Sequence, residues 1–175
     1  MSVEAESAAT TIDSKTQSEL HIRPIEARDI PQLGESQQMQ DFFTKAVERT
    51  NWSEKSIRVF VAELPEMQEI VGRMMVGLGY PDYFPKLDDN IGQMYLTDIS
   101  VQPAFQHRGF GIKMLQFLKN EAEKLDLDVI RAECVKGPLV SDFYAKIRFM
   151  PVPYKGSHEA YPDSHQMLEL WLKTQ

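Results

Sequence analysis

The chain reads as a mixed α/β (α+β) domain, and three observations predict that class. Ile57–Leu64, Glu69–Leu78 and Gln93–Val101 are β-branched or alternating runs of strand length. Gly109–Leu125 carries Ile112, Leu115, Leu118, Ala122 and Leu125 at three- and four-residue steps, the period of an amphipathic helix. Asp128–Val135 follows as another strand, so strand, helix and strand make a crossover that returns to a parallel pair. Strands and helices interleaved around one such unit belong to the α/β and α+β classes.

The elements follow in chain order. Met1–Ser18 is rich in Ser, Thr and Ala without apolar periodicity, which predicts a disordered tail over 1–18 and a single domain over 19–175. Leu20, Ile22 and Pro24 alternate with His21 and Arg23, a short strand over Glu19–Ile25. Ala27–Gln38 and Gln40–Thr50 read as helices, the second with Phe42, Phe43, Ala46 and Val47 on one stripe. Pro65-Glu66 between two strands predicts a hairpin, and Gly79–Asn90 a loop. Gly137-Pro138 starts a helix to about Ile147, because proline loses nothing at the first helical position. Phe149–Val152 and Gln166–Leu172 close the chain as strands around a polar loop.

Composition excludes several functions. The chain has 175 residues, enough for one sizeable core. Its apolar run Ile70–Tyr80 is broken by Arg73 and three glycines, far short of the ~18 residues of a membrane helix. A formal charge of −7 provides no general basic field for nucleic acid. One cysteine, Cys134, excludes a disulfide framework and a cysteine-rich zinc site, and no histidine has metal-ligand spacing. The acidic start matches neither a signal nor a transit peptide, so the expected compartment is cytoplasmic.

The chemistry points to Gln106-His107-Arg108-Gly109-Phe110-Gly111, between a strand and the best helix. Glycines there let the backbone approach a ligand, and first-turn amides lack helical partners. With the helix dipole such a turn cradles phosphate. Arg108 and Lys113 add charge, and no Asp or Glu occurs from Ile99 to Asn120, where roughly three are expected. A plain tight connection needs the same glycines. A dinucleotide fingerprint needs a third glycine where Met114 stands, and a P-loop needs a Lys-Ser/Thr pair that is absent.

Asp98–Leu115 resembles the acyl-coenzyme A signature of the GNAT superfamily of N-acetyltransferases, Q/R-x-x-G-x-G/A after a strand ending in V-x-P. Val101, Pro103, Gln106, Gly109 and Gly111 match it. Asp142–Phe149 resembles the family helix l-Y-e-k-l-G-F, with Gly137 where many members carry asparagine and Arg148 where they carry glycine. The resemblance implies a central mixed, mostly antiparallel twisted sheet of about six to seven strands flanked by about four helices. It implies acetyl-CoA as co-substrate, with no metal. The backbone of Ile99, Ser100 and Val101 would bond the pantetheine arm. The turn Gln106, His107, Arg108, Gly109, Phe110, Gly111 and Ile112 would take the pyrophosphate. Tyr144 would protonate the departing thiolate.

The acceptor side rests on weaker signals. A lysine-like amine is protonated at pH 7 by about 3.4 units, roughly 4.6 kcal/mol to overcome, so a base is useful. Asp98 is the nearest acid, on a strand resembling that of polyamine acetyltransferases, which often carry two acids where this chain has Thr97 and Asp98. Strict alternation puts Tyr95, Thr97 and Ile99 on one face and Asp98 on the other unless a bulge intervenes. A structural hydrogen-bond role explains Asp98 equally well, and core packing is the ordinary role for Tyr144. Cys134, mid-strand, reads as a small buried hydrophobe.

The expected function is acetyl transfer from acetyl-CoA to a primary amine of a small molecule, polyamine-like or other, by direct transfer in a ternary complex. A non-catalytic acyl-CoA-binding or sensor module and a protein or peptide amine acetyltransferase are the alternatives. Nucleic acid and membrane are excluded as partners. A homodimer stays open, because dimers are frequent in the family.

Overall fold

The computed structural model describes residues 19–34, 36–49, 51–52, 57–79, 87–88, 90–153 and 163–173. The tail expected over 1–18, most of the loop expected over Gly79–Asn90, and residues 154–162 of the late polar loop lie outside them. Seven strands form one sheet: β1 (His21–Pro24), β2 (Ile57–Leu64), β3 (Glu69–Leu78), β4 (Gln93–Val101), β5 (Val129–Val135), β6 (Met150–Val152) and β7 (His165–Trp171). Their order is β1-β2-β3-β4-β5-β7-β6, and β4–β5 is a parallel pair among antiparallel ones. Three α-helices flank the sheet: α1 (Gln37–Val47), α2 (Phe110–Lys124) and α3 (Pro138–Ala145). This is the mixed, mostly antiparallel sheet expected of the GNAT fold.

One helix differs from expectation. Ala27–Leu33 is a 3-10 helix with Pro31 inside it, ended by Gly34 in the left-handed conformation (φ 57°), and α1 begins only at Gln37. Proline cannot donate a helical hydrogen bond, and the glycine turns the chain before an α-helix can propagate. The 3-10 segment is held instead by Arg23, whose guanidinium bonds Asp29 at 2.7 and 2.8 Å and Glu63 at 2.8 Å.

Two apolar layers result. Phe60, Met74, Leu96, Met114, Leu115 and Leu118 pack between the sheet and α2. Ile25, Phe43, Val59, Val61 and Ile70 pack under α1 on the other face. At about 25 cal/mol per Å² of apolar surface, each fully buried side chain of this kind contributes ~1.5–3 kcal/mol. Among the described residues no helix is long and apolar enough to cross a membrane.

Candidate active site

β4 is paired with β3 from Met94 to Val101, but with β5 only from Gln93↔Val129 to Leu96↔Ala132. Beyond Leu96 the two parallel strands run on to Val101 and Val135 without pairing. The result is an unpaired strand edge inside a sheet, a template for any extended ligand with amide groups. A cavity of about 580 Å³ fills the gap, walled by Asp98 and Ile99 from β4, Glu133 and Cys134 from β5, and Phe143 and Tyr144 from α3.

A β-bulge sits where the strands part. Val76 faces Leu96 and Met75 faces Asp98, so Thr97 is an extra residue on β4, its Oγ1 donating to the Met75 carbonyl at 2.9 Å. A bulge bends its strand and strengthens the twist, which turns β4 away from β5. It also resets alternation: Leu96 and Ile99 both face α2, and Asp98 joins Tyr95 on the opposite face. The gap therefore runs through the sheet, with Ile99, Cys134 and Tyr144 on the α2–α3 side and Asp98 and Glu133 on the other.

The Gln106–Ile112 turn lies at the end of β4. Gln106 Nε2 donates to the Val101 carbonyl at 3.0 Å, tying the turn to the strand. His107 (φ 62°) and Gly109 (φ 80°) are both left-handed, and Gly109 caps α2. A β-carbon on Gly109 would meet nothing within 4 Å, so its glycine serves the backbone angle alone. Gly111 is different: a β-carbon there would sit 2.9 Å from the Phe143 ring, so that glycine lets α2 and α3 touch. The Lys113 amide bonds the Gly109 carbonyl at 3.1 Å as the first helical bond. The amides of Phe110, Gly111 and Ile112 stay without a partner among the described residues. Exposed Arg108, its guanidinium 5.1 Å from the Phe105 ring, and Lys113 flank them. A row of free amides, left-handed links and two cations suits a diphosphate.

Tyr144 is 6% exposed, in edge contact with Phe143 (5.0 Å) and Phe149 (5.4 Å). Of the adjacent aromatics Tyr144 takes the core position and Phe143 stays half-buried against the gap. The Tyr144 hydroxyl makes no hydrogen bond among the described residues. Burial first, then the nearby Cys134 and Asp98, push its pKa well above the ordinary phenol value, so it keeps its proton. After α3 the Arg148 amide bonds Ala145 O at 2.9 Å and the Phe149 amide bonds Tyr144 O at 3.3 Å, a Schellman closure. Arg148 holds the left-handed position (φ 72°) that glycine ordinarily takes.

The carboxylates divide. Asp98 accepts from Arg73 Nε at 3.1 Å, and the Arg73 guanidinium lies 5.7 Å from the Phe43 ring. Buried Glu169 pairs with Arg131 at 3.1 Å and accepts from Trp171 Nε1 at 3.0 Å. Glu133, half-buried on the wall facing Asp98, has no ion pair among the described residues. The sequence reading passes over Glu133; its signal is that Ala132 and Cys134 face the core, which puts Glu133 on the other face. Cys134 is half-buried rather than sealed in, and its sulfur accepts from Gln166 Nε2 at 3.6 Å. Among the described residues no group of three or more His, Cys, Asp or Glu could hold a metal ion.

Known proteins share this architecture. An acetyltransferase from Thermus thermophilus is 20% identical with a TM-score of 0.59, over 87% of this chain and 97% of that one. The ribosomal-protein-S18-alanine N-acetyltransferase of Escherichia coli is 15% identical with a TM-score of 0.60, over 90% and 96%. Arabidopsis thaliana NAA60, solved with acetyl-CoA, is 12% identical with a TM-score of 0.66, over 88% and 99%. No curated protein matches in sequence. Residues 22–147, well over half the chain, match the Acetyltransferase (GNAT) family. The open β4–β5 edge and its amide-lined turn thus sit within that matched span, and the chain belongs to the GNAT acetyltransferase family, an acyltransferase by membership.

Proposed function

We propose that the protein transfers an acetyl group from acetyl-CoA directly to a primary amine of a small molecule. The observation that supports it is the gap through the sheet: amide-lined turn at one end, a protonated buried phenol on one face, and on the other a carboxylate without an ion pair among the described residues. Along the open edge the backbone of Ile99 and Val101 bonds the pantetheine amides, while the Ser100 carbonyl between them faces β3. The free amides of Phe110, Gly111 and Ile112, with His107 and Arg108 beside Gly109 and Gln106 anchoring the turn, take the diphosphate.

The acceptor enters from the opposite face. Glu133 draws the ammonium and takes its proton, and Asp98, its charge shared with Arg73, orients it. The free amine attacks the thioester carbonyl and a C–N bond forms; the nitrogen then releases its extra proton to water, the C–S bond breaks, and Tyr144 gives its proton to the leaving sulfur, so that a neutral amide and a thiol result. The phenol regains that proton from solvent.

Thermal unfolding with acetyl-CoA, with NADH and ATP as controls, tests the cradle. A ligand at a hundred times its Kd adds about 2.7 kcal/mol, here a midpoint rise of roughly 5–10 °C. No rise at millimolar acetyl-CoA overturns the reading. Turnover is then measured with a polyamine, an amino acid, an aminoglycoside and a peptide beginning with alanine. Faster turnover of a small amine than of the peptide is expected; the reverse moves the acceptor to polypeptide ends. Binding without turnover of any amine makes the chain a coenzyme sensor.

A further inference from the structure

We propose that Cys134 is a capture site for oxidised coenzyme A, a reversible covalent lock on the gap between β4 and β5. The inference rests on the reading that this gap holds the coenzyme arm. Cys134 is the chain's single cysteine, two residues past the last β5 residue that pairs with β4, where the wall opens. It faces the same side as Tyr144, and both line the one cavity.

Tyr144 supplies the second, independent sign of a ligand. Its phenol is more than nine-tenths buried and has no hydrogen-bond partner among the described residues, yet it borders an open space. A donor in that setting calls for an acceptor from outside the chain. A ligand sulfur brought to the phenol enters the cavity that the cysteine also lines. Gln166 Nε2 donates to the Cys134 sulfur at 3.6 Å and to Ser141 Oγ at 3.0 Å, which fixes the sulfur in place between β7 and α3.

The step is a thiol–disulfide exchange. The Cys134 thiolate attacks one sulfur of coenzyme A disulfide, a protein–coenzyme S–S bond forms, the original S–S bond breaks, and one coenzyme A thiolate leaves with the electron pair. The disulfide is itself the oxidant. Burial pushes the Cys134 thiol up, so it reacts slowly with disulfides met at random. Selectivity then comes from residence: the turn at Gly109 holds a nucleotide diphosphate, which glutathione disulfide lacks, and holding a reactant raises its effective concentration steeply.

The test is the intact mass of the full chain after treatment with coenzyme A disulfide. Expected is a gain of one coenzyme A less two hydrogens, reversed by dithiothreitol and absent from Cys134→Ser. It should form at least about tenfold faster than the glutathione adduct at equal concentration, and excess acetyl-CoA should suppress it. No adduct, equal rates with the two disulfides, or no protection by acetyl-CoA each overturn the inference. Unfolding of Cys134→Ser, or of Cys134→Ala if the serine variant does not fold, separates it from the underlying reading. An acetyl-CoA midpoint shift retained there, with no adduct on the wild type, defeats the lock alone. A shift missing from both proteins removes the lock together with the coenzyme site.

Discussion

β4 has seven register pairs with β3 and four with β5. On the first side the backbone is spent on the ladder, and Gly72 shows how tightly: a β-carbon there would lie 2.7 Å from the Ser100 carbonyl oxygen. On the second side the same strand has no strand partner past Leu96 and borders a large cavity. One strand is thus paired along one edge and, past Leu96, open to a cavity along the other, where we place the chemistry. The two can be broken separately.

The largest effect is expected from Tyr144→Phe, which leaves the open edge and removes the proposed proton donor. kcat should fall about 10²–10⁴-fold while the acetyl-CoA midpoint shift persists. Unchanged kcat returns Tyr144 to packing. In the wild type, the alkaline limb of kcat should lie above the ordinary phenol value, because the raised pKa delays loss of the proton.

Gly72→Ala attacks the closed side. The collision is with backbone, so about 1–3 kcal/mol of stability should be lost in denaturant unfolding. A smaller effect on KM for acetyl-CoA than on stability would keep the two edges distinct.

Glu133→Gln and Asp98→Asn sharpen the open side. The first should lower kcat/KM about 10–100-fold at neutral pH and recover as the amine loses its own proton at high pH. The second, removing a carboxylate that Arg73 already neutralises, should cost less and uniformly across pH. If Asp98→Asn alone shows the pH-dependent loss, the base is Asp98.

The smallest effect belongs to Arg148→Gly. A non-glycine residue in the left-handed region costs about 1–2 kcal/mol, partly offset by the freedom glycine adds to the unfolded chain. A midpoint rise of roughly 2–4 °C is expected by calorimetry.

Much of this was legible because it depends on local period. Ile57–Leu64, Glu69–Leu78 and Gln93–Val101 appear at the bounds their alternation indicates, and α2 lies within the periodic stretch. The parallel return to β5 followed from the helix between the strands. The reading of Ala27–Gln38 as one helix failed because Gly34 and the Arg23 ion pairs, the latter reaching from β1 and β2, decide that segment. The face of Asp98 was undecidable from β4 alone, since the bulge at Thr97 exists only against the register of β3. Glu133 was hidden for the same reason, its role set by a neighbouring wall rather than by any motif.

Thr97 carries a consequence for the trade between robustness and activity. Excising that single residue would leave Leu96 opposite Val76 and Asp98 opposite Met75 as consecutive pairs, a regular ladder with every side chain on its present face. Nothing in the alternation of the apolar layers would then keep β4 bent away from β5, and the parallel pairing could continue past Ala132. Such a protein would gain hydrogen bonds and lose its opening. One inserted residue in nine is therefore the difference between a tougher sheet and an enzyme.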